Sequence, residues 1–599
     1  MEKIIKDLLL NVEKPARYVG GEFNMPDMNK LCTTRLCLCF PEIYEMAMSN
    51  IGVRILYHML NDMEGVVCER CFAPFVDMGE KLREKNIPLF SIDSQKPLVD
   101  FDIVGMSIGY ELLYTNVLYM LELAGIPFKA VDRGEEYPIL IAGGPCVVNP
   151  EPFAEIFDAV LIGEGEKNLK EFTILYDDCK KQGLSKQAFL EKASMLNGVY
   201  IPSMVKPVIE NNKITAFTGK VKKAIVQDLD SAYFPTKILV PNIEITHDRA
   251  VLELYRGCNN GCRFCQACFY YRPIRSRKLD TLLRYGEELT QNTGYSELSL
   301  SSLSTSDYYA LHELISGLKE SVCNGNVRLA MPSLRLDSYK PEYMKSGRLG
   351  SLTFAPEAGT QRLRNVINKN ITDEDIKNTI KHALEAGYNG FKLYFMIGLP
   401  TETEEDLQGI VDIVLLIKDM AKVHSKNKRP VQITVSTSVF IPKPLTPFQW
   451  ERQIDEEEML AKQRFLINNL HIKNVRYNWH SADSSIIESA LARGDRRLLS
   501  VLIRAYELGC KFDGWSEKFD FDKWKQAFSD CGISMNEYTR EFGEDEILTW
   551  EFVEHGVSKN YLLKERHNAY HGITTKACEK DKCVGCGANK LGRCFNESN

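Results

Sequence analysis

Four cysteines fall within eleven residues near the middle of the chain, in Tyr255-Arg-Gly-Cys258-Asn-Asn-Gly-Cys262-Arg-Phe-Cys265-Gln-Ala-Cys268. Thiolates gathered so tightly suit a soft metal, and iron–sulfur clusters are held by such ligands. Cys262, Cys265 and Cys268 spell the C-x2-C-x2-C start of a ferredoxin pattern, but the cysteine and proline that should complete it are replaced by Phe-Tyr-Tyr-Arg-Pro. A zinc knot would draw all four ligands from one loop with two gaps of only two residues. Cys258, Cys262 and Cys265, spaced C-x3-C-x2-C, fit better as three ligands that leave an iron position open. A second set, Cys578-x4-Cys583-x2-Cys586-x7-Cys594, lies in a polar tail where core packing gives no reason for four cysteines. Spacing there leaves both zinc and a second iron–sulfur cluster open.

The elements that must position these thiols come from a chain of 599 residues, too long for one hydrophobic core. With 44% apolar and 26% charged residues it has the composition of a soluble globular protein. A net charge of -7 without a long basic run argues against a mainly electrostatic nucleic-acid binder. The charged start, Met1-Glu-Lys-Ile-Ile-Lys-Asp, and the absence of an apolar run of about twenty residues lead us to expect a cytoplasmic protein with no membrane contact. Its 18 cysteines are then reduced, so clusters of them point to metal or redox chemistry before disulfides.

In the first third, strand-like runs at 36–40, 66–72, 103–108, 139–142 and 159–162 alternate with helical spacing at 47–60 and 111–123. This predicts βαβ units around a buried parallel sheet. The glycine loops Gly143-Gly144-Pro145 and Gly163-Glu164-Gly165-Glu166 would then stand at its carboxyl edge, where such sheets bind ligands, although ordinary turns use glycine equally. Cys68-Glu-Arg-Cys71 sits in a strand pattern with no second pair nearby and reads as buried thiols, as do Cys32, Cys37, Cys39, Cys146 and Cys179. After a polar connector, apolar runs at 251–255, 298–301, 327–331, 352–355, 390–395 and 432–438 alternate with helical segments, which predicts six β/α units. Such a partial barrel carries its site at the carboxyl ends of the strands, and the cysteines directly follow the first strand. Arg272, Arg275 and Arg277 form a basic cluster beside it, able either to meet an anionic substrate or to pair internally. Helices at 456–470 and 485–508 precede an aromatic-rich segment from Phe512 that we expect to pack on the barrel.

The string Arg256-Gly-Cys-Asn-Asn-Gly-Cys-Arg-Phe-Cys resembles the C-x3-C-x-aromatic-C signature of the radical S-adenosylmethionine (radical SAM) superfamily. Phe354-Ala-Pro-Glu357-Ala-Gly-Thr and Ile397-Gly-Leu-Pro-Thr-Glu-Thr resemble the later strand-end motifs of the branch that includes methylthiotransferases and the Elongator-type catalytic subunit. Ile141-Ala-Gly-Gly-Pro with Asp158-Ala-Val-Leu-Ile-Gly-Glu-Gly-Glu resembles the cobalamin-binding-type domain at the N-terminus of many such proteins. Residues 41–52 hold no histidine where the D-x-H-x-x-G loop would supply one, and His58, inside a predicted helix, is expected to be structural. Ala492-Arg-Gly-Asp-Arg-Arg and Phe512-Asp-Gly-Trp extend the resemblance, toward a poorly characterised family of cobalamin-domain radical SAM proteins, over nearly the whole chain.

The resemblance implies an α/β fold: a Rossmann-like, cobalamin-binding-type domain (1–184), a connector (185–245), a partial (β/α)6 TIM-like radical SAM barrel (246–470), a mainly helical region (471–576) and a Cys-rich tail (577–599). It implies a [4Fe-4S] cluster on Cys258, Cys262 and Cys265, with S-adenosylmethionine on the fourth iron and Cys268 outside the ligand set. Phe264, Ser299, Ser301, Ser333, Arg335, Glu357, Gly398 and Pro400 would line the cofactor. Cobalamin is a further cofactor it suggests, and flavodoxin or ferredoxin the kind of electron donor. The implied activity is formation of a 5′-deoxyadenosyl radical that methylates, or inserts sulfur into, an RNA or protein. The competing reading is a non-catalytic iron–sulfur or zinc protein that binds RNA or the ribosome.

Overall fold

The computed structural model describes residues 2–210, 213–322, 327–330, 351–426, 430–579 and 582–595. Strands β1 (Thr34–Phe40) and β2 (Val66–Phe72) are buried along almost their whole length, as strands covered on both faces must be. β1 pairs in parallel with β2 and β3 (Ile103–Ser107); β4 (Ile139–Gly143) and β5 (Ala159–Leu161) continue in parallel, and the short β6 (Val199–Tyr200) adds antiparallel at the edge. The order is therefore 2-1-3-4-5-6. One face packs on Val53, Tyr57, Leu60 and Phe172, the other on Val117, Leu118, Leu121 and Ile156. Because β2 lies on one side of β1 and the chain then crosses over to place β3 on the other, the carboxyl ends of β1 and β3 flank a switch point, the usual location of a ligand crevice.

Two further parallel sheets follow. β7 (Ala250–Glu253), β8 (Glu297–Ser301) and β9 (Arg328–Ala330) form one; β10 (Ser351–Glu357), β11 (Gly390–Ile397), β12 (Gln432–Val439) and β13 (Val475–Trp479) form the other. Helices fill the connections, among them Asp373–Glu385 and Glu404–His424, each started by a capping box (Thr372 with Asp375, Thr403 with Asp406) that satisfies the first free N–H groups. Six strands were expected here, and these two sheets hold seven among the described residues. The extra one, Val-Arg-Tyr-Asn-Trp, is a partly exposed edge strand whose polar side chains hide it from a search for apolar runs.

The C-terminal helices include Ala482–Arg493, Leu498–Glu507, Phe521–Asp530 and Lys559–Tyr570. The aromatic segment does not lie on the β7–β13 sheets. Phe512 meets Phe75 and Tyr119 at ring distances of 5.4 and 5.9 Å, and Trp515 meets Phe75 at 6.0 Å, so the segment closes over the N-terminal sheet's helices. Val553–Glu554 pairs in parallel with Val221–Lys222 of the connector, joining the C-terminal region to the middle of the chain. Among the described residues, no helix is long and apolar enough to cross a membrane.

Candidate active site and metal centre

The cysteine loop leaves the carboxyl end of β7 and is closed at its base by two short antiparallel segments, Tyr255–Arg256 against Arg275–Ser276. Gly257 turns the chain into it with φ +93; a Cβ there would stand 3.0 Å from Tyr271 O. Cys258 and Cys262 are buried, Cys265 is half-buried, and Cys268 is buried on the helix Gln266–Tyr270 that ends the loop. The structure brings Cys268 in with the other three: its S–H reaches Cys258, Cys262 and Cys265, and those hydrogen bonds, with burial, push its own pKa far up. The bond from Cys268 correspondingly lowers the Cys258 thiol. Cys268 thus stands within hydrogen-bond reach of the three expected ligand sulfurs, and hydrogen bonds to sulfur are among the contacts that tune a cluster. Asn260 Nδ2 stands 3.7 Å from Cys258 Sγ and donates to Asp307 Oδ2 at 3.0 Å.

Arg263, fully buried, fixes the loop from behind. It pairs with Glu565 at 3.1 Å and donates to the carbonyls of Asn365, Val366 and Ile573. Phe264 is half-buried between the apolar cluster around the thiols and the one holding Ala358, Met396 and Leu399 at the β10 and β11 ends. Of the other expected cofactor residues, Ser299 is buried and Ser301 half-buried on β8. Glu357 ends β10 with φ +68 and is paired with Lys369 at 3.2 Å. Gly398 donates its N–H to the Glu402 carboxylate at 3.0 Å, and its missing Cβ makes room for Ile454, so a packing need explains this glycine; Pro400 lies half-buried in the same turn. Ser333 and Arg335 lie outside the described residues.

The arginine cluster is internal. Arg275 pairs with Glu164 at 2.7 Å, Arg277 with Glu253 at 2.9 Å, and Arg272 donates to Asn260 O at 3.1 Å. Arg256 joins Glu253, Glu164 and Glu166 in the same network. Burial opposes charge on Glu253, but Arg256 and Arg277 outweigh it and hold the carboxyl at about 2. Lys223 of the connector, which sequence reading passed over, lies buried beneath the loop and donates to Tyr270 O and Arg272 O. One of three lysines in Lys220-Val-Lys-Lys223 carries no signal of such a place.

A cavity of about 450 Å³ separates the loop from the first sheet. It is lined by Met106 and Ser107 of β3, Ile141 and Ala142 of β4, Tyr270 and Tyr271 of the loop, and Ser301 of β8. Both glycine loops also line it, through Gly143 to Pro145 and Gly163 to Glu166, and with φ +106 and +115 the missing Cβ atoms of Gly144 and Gly163 make room for Ile108 O and Ala224 O. No His or Cys lines the cavity among the described residues. His58 is buried elsewhere, its Nε2 accepting the Leu239 N–H at 3.2 Å, and desolvation drops it to about 3, a structural histidine as expected. The lining is mainly apolar, with Glu164, Glu166, Glu253 and Arg256 as its charged members, and among the described residues it offers a metal no histidine.

The tail packs on the same apolar cluster as the loop, with Cys578 and Cys586 buried, Cys594 half-buried and Cys583 exposed. Among the described residues, no group of three or more His, Cys, Asp or Glu side chains stands in a closed metal-binding arrangement. The chemistry of the donor set nevertheless fits an iron–sulfur centre at Cys258, Cys262 and Cys265: three thiols on one buried loop, with hydrogen-bond donors beside them. Cys37, Cys39, Cys68 and Cys71 are buried in the first sheet, and Cys146 and Cys179 are buried too, as expected of core thiols, whereas Cys32, just ahead of β1, is half-buried.

Two family models match. One, for the N-terminal part of radical SAM proteins, covers residues 52–202, and one for the radical SAM superfamily covers 252–414. An uncharacterized protein of Methanocaldococcus jannaschii is 29% identical, with 76% of this chain and 92% of that protein aligned. A ribosomal protein uS12 methylthiotransferase of Pelotomaculum thermopropionicum is 25% identical over 64% of this chain and 84% of its own length. Among solved structures, the radical S-adenosylmethionine methyltransferase TsrM of Kitasatospora setae aligns at 13% identity with a TM-score of 0.44, covering 67% of this chain and 72% of that one. The cysteine loop at the end of β7 lies inside the second matched region, and with both regions matched the chain belongs to the radical SAM superfamily.

Proposed function

We propose that this radical SAM enzyme holds a [4Fe-4S] cluster on Cys258, Cys262 and Cys265, and methylates or inserts sulfur into an RNA or protein. The observation that carries the reading is the set of thiols on one largely buried loop at the carboxyl end of β7, whose two flanks, Tyr255 to Gly257 and Tyr270 to Tyr271, line a cavity against the first sheet. When bound, the cluster and S-adenosylmethionine supply a 5′-deoxyadenosyl radical. The chain's own residues orient and protect that chemistry. Cys268 and Asn260 direct hydrogen bonds at sulfur, Arg263 and Arg272 pin the loop, and Phe264 keeps water from the gap between the loop and the β10 and β11 ends. Strands β7–β13 are read as one partial barrel with its mouth at the loop, and Ser299, Ser301, Glu357, Gly398 and Pro400 as its cofactor side.

The macromolecular substrate is inferred from relatives whose names specify ribosomal protein uS12 or a tRNA nucleoside. A cobalamin in the cavity would be held by shape, with Tyr270 and Tyr271 on the loop side. A flavodoxin or ferredoxin in the cytoplasm would deliver the electron. Anaerobic reconstitution followed by measurement of 5′-deoxyadenosine with a strong reductant is the test. Wild type should form it, and replacing Cys258, Cys262 and Cys265 with alanine should abolish it; equal yields from both proteins would overturn the reading.

A further inference from the structure

The tail is tied to the cysteine loop by backbone. Cys578 N–H donates to Asn259 O at 2.8 Å, next to Cys258 in sequence; Phe595 N–H donates to Ile274 O at 2.9 Å, and Ser558 N–H to Cys586 O at 2.9 Å. Within the tail a backbone amide points at sulfur: Gly585 N–H donates to Cys583 Sγ at 3.3 Å. Gly585 and Gly587 adopt φ +72 and +96, which side-chain-bearing residues rarely tolerate, so the turn that aims this amide requires glycine. Amides aimed at sulfur stabilise thiolates, the form in which cysteine binds metal.

A second observation concerns Arg272. It is 3% exposed; Nη2 donates to Asn260 O, while Nε and Nη1 lack a hydrogen-bond partner. Its guanidinium lies over the Phe269 and Tyr561 rings at 5.3 and 5.9 Å. Both rings share one apolar cluster with Cys586. A buried guanidinium needs a counter-charge, and a neutral thiol does not provide one.

We infer that Cys578, Cys583, Cys586 and Cys594 hold a closed four-thiolate metal centre whose negative charge faces Arg272, so that the tail grips the radical-site loop through Arg272 and Asn260. Zinc and an iron–sulfur cluster share this ligand chemistry. The test begins with untreated wild-type protein and iodoacetamide. Cys583 is exposed, so metal should slow its alkylation on the order of tenfold relative to chelator-treated protein. Equal rates would overturn the inference.

Metal and acid-labile sulfide are then measured in the variant carrying Cys258→Ala, Cys262→Ala and Cys265→Ala. One centre per chain should remain and should disappear when Cys583→Ser and Cys586→Ser are added. Zinc without sulfide identifies a zinc site, and iron with sulfide a cluster; absence of stoichiometric metal overturns the inference. Finally, the melting-temperature losses caused by the tail pair and by Arg272→Met should be non-additive, because each removes the same charge pairing; additive losses would remove Arg272 from the account. None of these readouts involves S-adenosylmethionine cleavage, so failure here and failure of the radical reading are separable.

Discussion

Arg263 shows how one side chain links distant parts of the sequence to the metal loop. Standing between Cys262 and Phe264, it spends its donors on Glu565 and on three carbonyls from two other stretches, 365–366 and Ile573, with no exposed surface. Arg263→Leu leaves Glu565 buried without its cation, for which about 3–5 kcal/mol is typical. We expect a matching loss in urea unfolding and poor iron retention after reconstitution. Arg263→Leu combined with Glu565→Leu should recover much of the stability, because both ends of the pair are then apolar. A double variant no more stable than Arg263→Leu alone would argue that the carbonyl contacts dominate. The cysteine spacing was legible because ligand chemistry dictates it locally. The partners of Arg263 lie about 100 and 300 residues away, and nothing in Cys-Arg-Phe-Cys indicates them.

At the scale of elements, the β5 end and the connector meet at a single tight approach. Gly163, with φ +115, bridges Ala224, and a Cβ would lie 2.0 Å from Ala224 O. The next residue back, Lys223, supports the cysteine loop from below, so a push at Gly163 moves the support. Gly163→Ala should therefore cost more than the ~1–3 kcal/mol of backbone strain and should lower cluster content. Gly183→Ala, with φ +66 and no atom within 4 Å of the new Cβ, is the control and should cost about 1 kcal/mol with cluster content unchanged. Equal effects of the two, seen in thermal unfolding, would refute the approach as the cause.

The glycine loops were legible as strand-end turns, but their reason was not, because it lies in the backbone of segments far along the chain. Strands β1–β5 were readable from apolar runs since both faces are covered. β13 was not, since an edge strand of mixed polarity has the pattern of a loop. Arg275 and Arg277 look identical in sequence whether they face solvent or Glu164 and Glu253.

The whole molecule is closed by its C-terminal region, which touches every other part: Glu565 and Cys586 at the metal loop, Val553–Glu554 at the connector, and Arg496 with Glu151 at 2.7 Å and Asp513 with Thr115 at 2.6 Å at the N-terminal unit. Asp513 makes that last closure pH-dependent. It accepts from Thr115 Oγ1 and from Trp524 Nε1 at 3.1 Å, and burial pushes its carboxyl up to about 6. A folded-state pKa above the unfolded one contributes stability that is fully present below the unfolded value near 3.9 and is lost as pH rises through about 6. Asp513→Asn cannot ionise and keeps an acceptor for Trp524, so it should remove this slope, a difference on the order of 2–3 kcal/mol between pH 4 and pH 7. Urea unfolding of wild type and Asp513→Asn at intervals across that range checks it. With other carboxylates titrating alike in both proteins, the difference between the two stability curves isolates this group. If those curves run parallel, Asp513 keeps an ordinary carboxylate pKa, and the C-terminal closure on the N-terminal unit rests on contacts other than this group's titration, among them Phe512 and Trp515 against Phe75 and Arg496 with Glu151.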